Sequence, residues 1–205
     1  MGDTAASAAG RLCEALATRG WGVDADFIAP ELVGRLRARL RALEGAGAFR
    51  AAAVGAGAHR AVRPSIRGDR LCWIGPTTTT DEDAFLARME ALRGALNREL
   101  KLGLFDFECQ YAIYAPGARY ARHLDRSPAG AERVVSVVAY LNETWAAADG
   151  GELCVFTDCG GVSVLPNGGT LVLFESARFE HEVRAAQRER LSVAGWFRRR
   201  AHLPA

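Results

Sequence analysis

Residues 114–125, Tyr-Ala-Pro-Gly-Ala-Arg-Tyr-Ala-Arg-His-Leu-Asp, end in a His-x-Asp pair, His123 and Asp125. Side chains on a strand alternate with a period of two, so this spacing turns the imidazole and the carboxylate to one face. His181, from a distant strand, can complete one triangular side of an octahedral metal. Two histidines and one carboxylate suit non-haem Fe(II) and leave positions open for oxygen and a cosubstrate. Arg190 follows His181 by nine residues and opens Arg-Leu-Ser-Val-Ala-Gly-Trp, which reads as the next strand. A guanidinium there can hold a dicarboxylate through a fork of two hydrogen bonds. His-x-Asp alone recurs by chance; its weight comes from the distal His and the Arg-x-Ser that follow. His59 and His202 are read as ordinary structural histidines.

These residues need a scaffold of strands. From Leu104 onward, Phe105, Phe107, Cys109, Tyr111 and Ile113 alternate with Asp106, Glu108 and Gln110, the pattern of a half-buried strand. Short strands are predicted over 120–125, 134–141, 153–157, 162–165, 170–174, 180–183 and 190–197. Asp149-Gly150-Gly151 and Asn167-Gly168-Gly169 punctuate them as turns. Many short strands joined by Gly-rich turns predict an all-β core, a double-stranded β-helix or jelly roll, flanked by N-terminal α-helices. The first helix is predicted over 4–19 with Leu12 and Leu16 on one stripe, ended by Gly20. A second opens with Pro30 and turns Leu32, Leu36, Leu40 and Leu43 to the core. A third starts at Asp81 and carries Phe85, Met89, Leu92, Leu96 and Leu100. Residues 45–63 are rich in Ala and Gly without periodicity and read as a flexible loop or a partly helical stretch, and 71–74 read as a short strand. The run Arg198-Arg199-Arg200 reads as a solvated end.

Composition narrows the function classes. A chain of 205 residues with 49% hydrophobic content fits one domain with a real core. A net charge of +2 implies no strong pull on nucleic acid or membrane. Cys13, Cys72, Cys109, Cys154 and Cys159 include no Cys-x-x-Cys pair, and read as buried free thiols in a reducing cytoplasm rather than a zinc site. Asp3 comes early and no apolar core follows it, so no signal peptide is expected.

The metal set, together with Ile66-Arg67-Gly68-Asp69, Tyr140-Leu141-Asn142-Glu143-Thr144-Trp145, Gly150-Gly151 and Leu171-Val172-Leu173-Phe174, resembles the Fe(II)- and 2-oxoglutarate-dependent dioxygenases. Within them it is similar to the prolyl hydroxylase branch that includes the hypoxia-inducible-factor prolyl hydroxylases and their bacterial relatives. The likeness runs from about residue 64 to residue 197. It implies one dioxygenase domain over 1–205, with 1–103 mainly helical support plus a substrate-loop segment and 104–200 the jelly-roll catalytic core. By that resemblance His123, Asp125 and His181 bind Fe(II). Arg190 pairs with the far carboxylate of 2-oxoglutarate, Tyr140 assists it, and Tyr114 stands near the cosubstrate's metal-binding end. Leu153 and Val183 are similar to apolar pocket walls, or are plain core. Trp196 is similar to a wall on the product side, and Arg67, Asp69 and Arg133 to substrate contacts, with a solvated surface arginine the other reading of Arg133. The stretch 51–69 is either a cover over the substrate or an exposed loop. Ala194 stands where family members carry a polar residue. No long C-terminal substrate-binding helix is expected.

The implied activity is a peptidyl-prolyl 4-hydroxylase using Fe(II), 2-oxoglutarate and O2, with ascorbate as reductant, on a prolyl residue in an exposed loop of a protein. Bacterial relatives point to elongation factor Tu as the substrate, and oxygen sensing is a further expectation. The alternative on the same scaffold is a hydroxylase of free proline or a small-molecule or peptide substrate. A nucleic-acid demethylase fits poorly, because the place of a second arginine is taken by Trp196. A carboxylate in the metal set argues against a halogenase. A monomer without nucleic-acid or membrane partners is expected.

Overall fold

Apolar spacing and end signals set the helices in the computed structural model, which describes residues 3–55, 61–125 and 131–200. Helix α1 (Asp3–Arg19) buries Leu12 and Leu16 and stops at Gly20, whose φ of 79° favours glycine. Helix α2 (Pro30–Gly45) starts with proline in its first turn and buries Leu32, Leu36 and Leu40. Helix α3 (Thr80–Leu100) begins one residue before the predicted Asp81. The Thr79 hydroxyl caps it by accepting the Glu82 N–H, and the Glu82 carboxylate accepts the Thr79 N–H in return. Phe85, Met89, Leu92 and Leu96 of α3 are buried.

The strands are β1 (Trp21–Asp24), β2 (Arg50–Ala51), β3 (Asp69–Trp73), β4 (Asp106–Tyr114), β5 (Tyr120–His123) and β6 (Ala131–Tyr140), then β7 (Leu153–Thr157), β8 (Gly160–Val164), β9 (Leu171–Glu175), β10 (His181–Val183) and β11 (Arg190–Arg200). They form a seven-stranded sheet, ordered β1-β9-β6-β11-β4-β3-β2, and a four-stranded sheet, ordered β5-β10-β7-β8. Every pairing between these strands is antiparallel. The result is the expected double-stranded β-helix with helical support.

Alternation divides each long strand between two interiors. Tyr111, Ile113, Val137, Leu171 and Val193 join the helices in the main core. Their neighbours Ala112, Tyr114, Tyr140, Val172 and Phe174 face Leu153, Val155 and Val183 of the smaller sheet in a second cluster. Gly195 lets β11 lie close against β4, since a Cβ there would sit 2.5 Å from the Phe107 ring and 2.8 Å from Cys109 Cβ.

Four expectations need correction. Strand β4 is not half-exposed, because its residues from Cys109 to Tyr114 are buried on both faces, between helices and cavity. Residues 198–200 continue β11; Arg199 and Arg200 are solvated as expected, but Arg198 is half-buried. Arg198 pairs with Asp106 and Glu108 at 2.8 and 2.9 Å, and Arg199 with Glu132 at 2.6 Å. The cysteines are free thiols, but Cys72 is half-buried and Cys159 exposed. The Ala/Gly stretch holds β2 and a Val54–Ala61 bridge. His59 and His202 lie outside the described residues.

Candidate active site

Strands β5 and β10 pair so that His123 and His181 stand opposite each other, with ring centroids 4.2 Å apart. Tyr120 stacks on His123 at 3.5 Å and Phe174 packs on His181 at 4.6 Å, which fixes both rings. His123 Nδ1 lies 2.8 Å from the Ala121 carbonyl and His181 Nδ1 lies 3.3 Å from that of Phe179. A carbonyl only accepts, so each Nδ1 carries the proton and each Nε2 presents a lone pair. Asp125 sits just past the end of β5, not on the strand. Its Oδ1 is 3.8 Å from His123 Nε2 and its Oδ2 is 3.7 Å from His181 Nε2. The three side chains offer ligand atoms that all lie within 4.8 Å of one another, close enough for a single ion to touch all three.

Asp125 is held from the other sheet. Its Oδ2 accepts hydrogen bonds from Ser136 Oγ of β6 at 2.6 Å and from the Trp196 indole of β11 at 2.7 Å. Ser136 thereby spends its one proton, so the Ser176 hydroxyl, 2.8 Å away, donates to it. Burial pushes His123 down to about 4, helped by the neighbouring His181, and burial lowers His181 as well. Burial works to raise the Asp125 carboxyl, but His181 and the two donated hydrogen bonds outweigh it and hold the group ionised. Two neutral imidazoles and a carboxylate are the protonation states a divalent metal needs.

The other end of the cavity holds Arg190, which is 1% exposed. Its Nε donates to the Gly151 carbonyl at 2.9 Å and its Nη1 to Ser192 Oγ at 3.4 Å. Its Nη2 and the buried Tyr140 hydroxyl have no hydrogen-bond partner among the described residues. The guanidinium lies 5.0 Å from the Tyr140 ring centroid and 5.2 Å from that of Tyr114. Burial raises Tyr140, so its hydroxyl keeps its proton and is a donor. Desolvated donors without acceptors are costly and rare, so this end is a slot for an anionic oxygen ligand. The Tyr-Leu-Asn-x-x-Trp motif supports the slot from behind. Asn142 Oδ1 accepts the Leu191 N–H at 2.7 Å, and the Trp145 indole donates to the Gly150 carbonyl at 2.8 Å, beside the Gly151 that grips Arg190. Gly151 has φ 75°, and a Cβ there would lie 2.8 Å from Ala186 Cβ.

The mouth carries the remaining predicted residues. Arg67 makes two hydrogen bonds to Asp69, at 2.8 and 3.0 Å, and lies 4.6 Å above Tyr120. Arg133 pairs with Glu108 at 2.8 Å and lies 3.6 Å over Trp196. Metal set, slot and mouth line one cavity of about 780 Å³, within the usual range for ligand pockets.

A family model described as the 2OG-Fe(II) oxygenase superfamily matches residues 109–198. A Pseudomonas putida prolyl-4-hydroxylase of known structure is 44% identical, with a TM-score of 0.86 over 94% of this chain and 100% of that one. The chain belongs to the 2OG-Fe(II) oxygenase superfamily. A Trichoplax adhaerens prolyl hydroxylase, solved with a peptide fragment of the hypoxia-inducible factor oxygen degradation domain, is 26% identical with a TM-score of 0.84 over 95% of this chain and 90% of that one. Among curated relatives, human Egl nine homolog 1 is 31% identical over 64% of this chain. The chain spans a third or less of the length of the curated relatives it matches, 33% of that protein and 20% of a prolyl 3,4-dihydroxylase from Ostreococcus tauri.

The residues of this oxygenase fit the groups the superfamily uses. The triad supplies a divalent metal's donor set, and the unpartnered Arg190 Nη2 and Tyr140 hydroxyl supply a carboxylate's. Every predicted site residue borders the cavity except Tyr140, which lies buried behind it against Arg190. Tyr114 stands in register between Arg190 and Asp69. Leu153 and Val183 serve as wall and core at once. Ala53, Val54 and Gly55 of the Ala/Gly stretch line the cavity too, so that segment is not simply an exposed loop. Nor is Arg133 a solvated surface arginine. Three contributors escaped the sequence reading: Ser136, Ser176 and the polar edge of Trp196. A lone serine in the apolar run Val-Val-Ser-Val-Val is the signal that could have found Ser136.

Proposed function

We propose that this oxygenase is a peptidyl-prolyl 4-hydroxylase acting on a proline in an exposed loop of another protein, with elongation factor Tu as the candidate. The carrying observation is the 44% identity to the Pseudomonas putida prolyl-4-hydroxylase, spread over nearly the whole chain. The cavity supports the reading, because Arg190 supplies an anion slot while Arg67, Arg133 and Trp196 line the same cavity.

When bound, Fe(II) with 2-oxoglutarate and O2 supplies the oxidising power, coupling oxidative decarboxylation of the cosubstrate to hydroxylation of an unactivated C–H bond. The protein's residues do the positioning. His123, Asp125 and His181 would hold the metal. Arg190 and Tyr140 would hold the far carboxylate and thereby orient the cosubstrate. Leu153, Val183 and Phe174 keep water from that part of the site. Arg67, Asp69, Arg133 and Trp196 border the place where the substrate segment enters.

In this reading ascorbate keeps the iron ferrous, and the single domain works as a cytoplasmic monomer, in keeping with its free thiols. Activity that rises and falls with oxygen supply would make it an oxygen sensor. The test is incubation of purified elongation factor Tu with enzyme, Fe(II), 2-oxoglutarate and ascorbate, followed by peptide mass spectrometry. One oxygen added to a single proline, dependent on iron, is the expected result. Marks on other residue types alone, or turnover of free proline without any protein mark, would overturn it.

A further inference from the structure

Gln110 is 2% exposed, lines the catalytic cavity, and has no hydrogen-bond partner for its Oε1 among the described residues. Leaving a buried acceptor unpaired costs about 1–3 kcal/mol, so such groups mark places completed by something else. None of the described residues donates to it. In register, Gln110 lies between Ala194 of β11 and Trp73 of β3. Ala194 has no polar atom, and the Trp196 indole N–H is already given to Asp125. The cosubstrates cannot complete it either, because 2-oxoglutarate and dioxygen carry only acceptors at neutral pH. The donor is then a cavity water or, once substrate is bound, a group of the substrate that displaces it. The adjacent Trp73 is 48% exposed and packs on Trp196 at 6.2 Å, so a large apolar ring is open to solvent beside the unpaired carboxamide. An apolar face next to a buried acceptor suits a peptide segment.

We propose that Gln110 is a specificity-determining residue whose carboxamide oxygen accepts a hydrogen bond from a backbone N–H of the substrate segment, with Trp73 as the apolar side of the same subsite. This rests on the protein-prolyl reading above. A prolyl residue has no N–H, so the donor belongs to a residue flanking the target proline.

The experiment uses capped proline-containing peptides from the loops of elongation factor Tu, each N-methylated at one amide in turn. Binding is measured by calorimetry with Mn(II) and 2-oxoglutarate in the absence of oxygen. Wild type should lose about tenfold in affinity at one methylated position. Gln110→Met should bind the unmodified peptide about tenfold more weakly and show no further loss at that position. Gln110→Glu, which keeps an acceptor in place, should retain the position-specific loss. Peptide affinity should change more than 2-oxoglutarate affinity, and the Met variant without ligands should melt no lower than wild type. A Met variant that binds peptide as wild type does, or that melts several degrees lower, would overturn the role of Gln110 and leave the hydroxylase reading intact. Wild type that neither binds nor hydroxylates any of the peptides would sink that reading, and this proposal with it.

Discussion

Trp196 donates its indole N–H to Oδ2 of Asp125 at 2.7 Å, from the middle of β11 to the residue just beyond β5. The ring that sequence likeness assigns to a substrate wall thus also orients Asp125, a candidate metal ligand. Partners of this kind typically alter metal affinity by about 10–100-fold. Trp196→Phe keeps most of the ring surface and removes only the donor. Its Fe(II) or Mn(II) affinity, read by titration, should fall by at least about tenfold, while Asp125→Ala should abolish turnover. A Phe variant with normal metal affinity and altered substrate saturation only would return Trp196 to a pure wall.

Among the described residues, Arg190 has one nitrogen without a hydrogen-bond partner, beside a tyrosine hydroxyl without one. Arg190→Ala and Arg190→Lys should both raise the half-saturating 2-oxoglutarate concentration by more than about tenfold, because a lysine cannot reproduce the two-pronged contact. Steady-state titration of the cosubstrate checks this. An unchanged requirement would place its far carboxylate elsewhere.

Asp69 is a buried carboxylate wholly engaged by Arg67, whose side chain is 17% exposed. Asp69→Asn leaves that guanidinium without a counter-charge in a mostly dry site. Breaking buried pairs costs about 3–5 kcal/mol, and partial exposure here reduces the loss to roughly 2–3 kcal/mol. Calorimetry of the metal-free protein should show a melting temperature lower by about 5–10 °C. A variant with unchanged melting but weakened peptide binding would make Asp69 a direct substrate contact instead.

Acid should destabilise the metal-free protein. His123 is depressed by burial from 6.5 to about 4, and His181 is depressed in the same direction. Below pH 6.5 the unfolded chain takes up protons that the folded chain refuses, so stability present above that pH is lost as pH falls toward 4. The lowered Asp125 carboxyl adds loss of the same sign at lower pH. Melting temperature should drop between about pH 7 and about pH 5, and His123→Gln should flatten part of that slope. A level profile in wild type contradicts the buried neutral imidazoles.

Much of this was legible in the chain because the chemistry repeats the period of the scaffold. Arg190, Ser192, Ala194 and Trp196 alternate along β11, and all four reach the cavity. The helices were legible because Leu32, Leu36 and Leu40 face one uniform core. Gln110 was not, because a polar residue alternating with apolar ones looks the same whether its face meets bulk water or an enclosed polar cavity. Arg198 failed for a related reason: its partners Asp106 and Glu108 come from a strand about ninety residues away, and local sequence carries no trace of that pairing.

His123 and His181 belong to the four-stranded sheet, whereas Asp125 is tethered to the seven-stranded one through Ser136 and Trp196. An ion gripped by all three therefore acts as a rivet through the two layers of the sandwich. Filling the centre ought to damp the breathing of the small sheet against the large one as well as arm the chemistry. The lifetime of the protein in a cell full of proteases would then rise and fall with the iron supply.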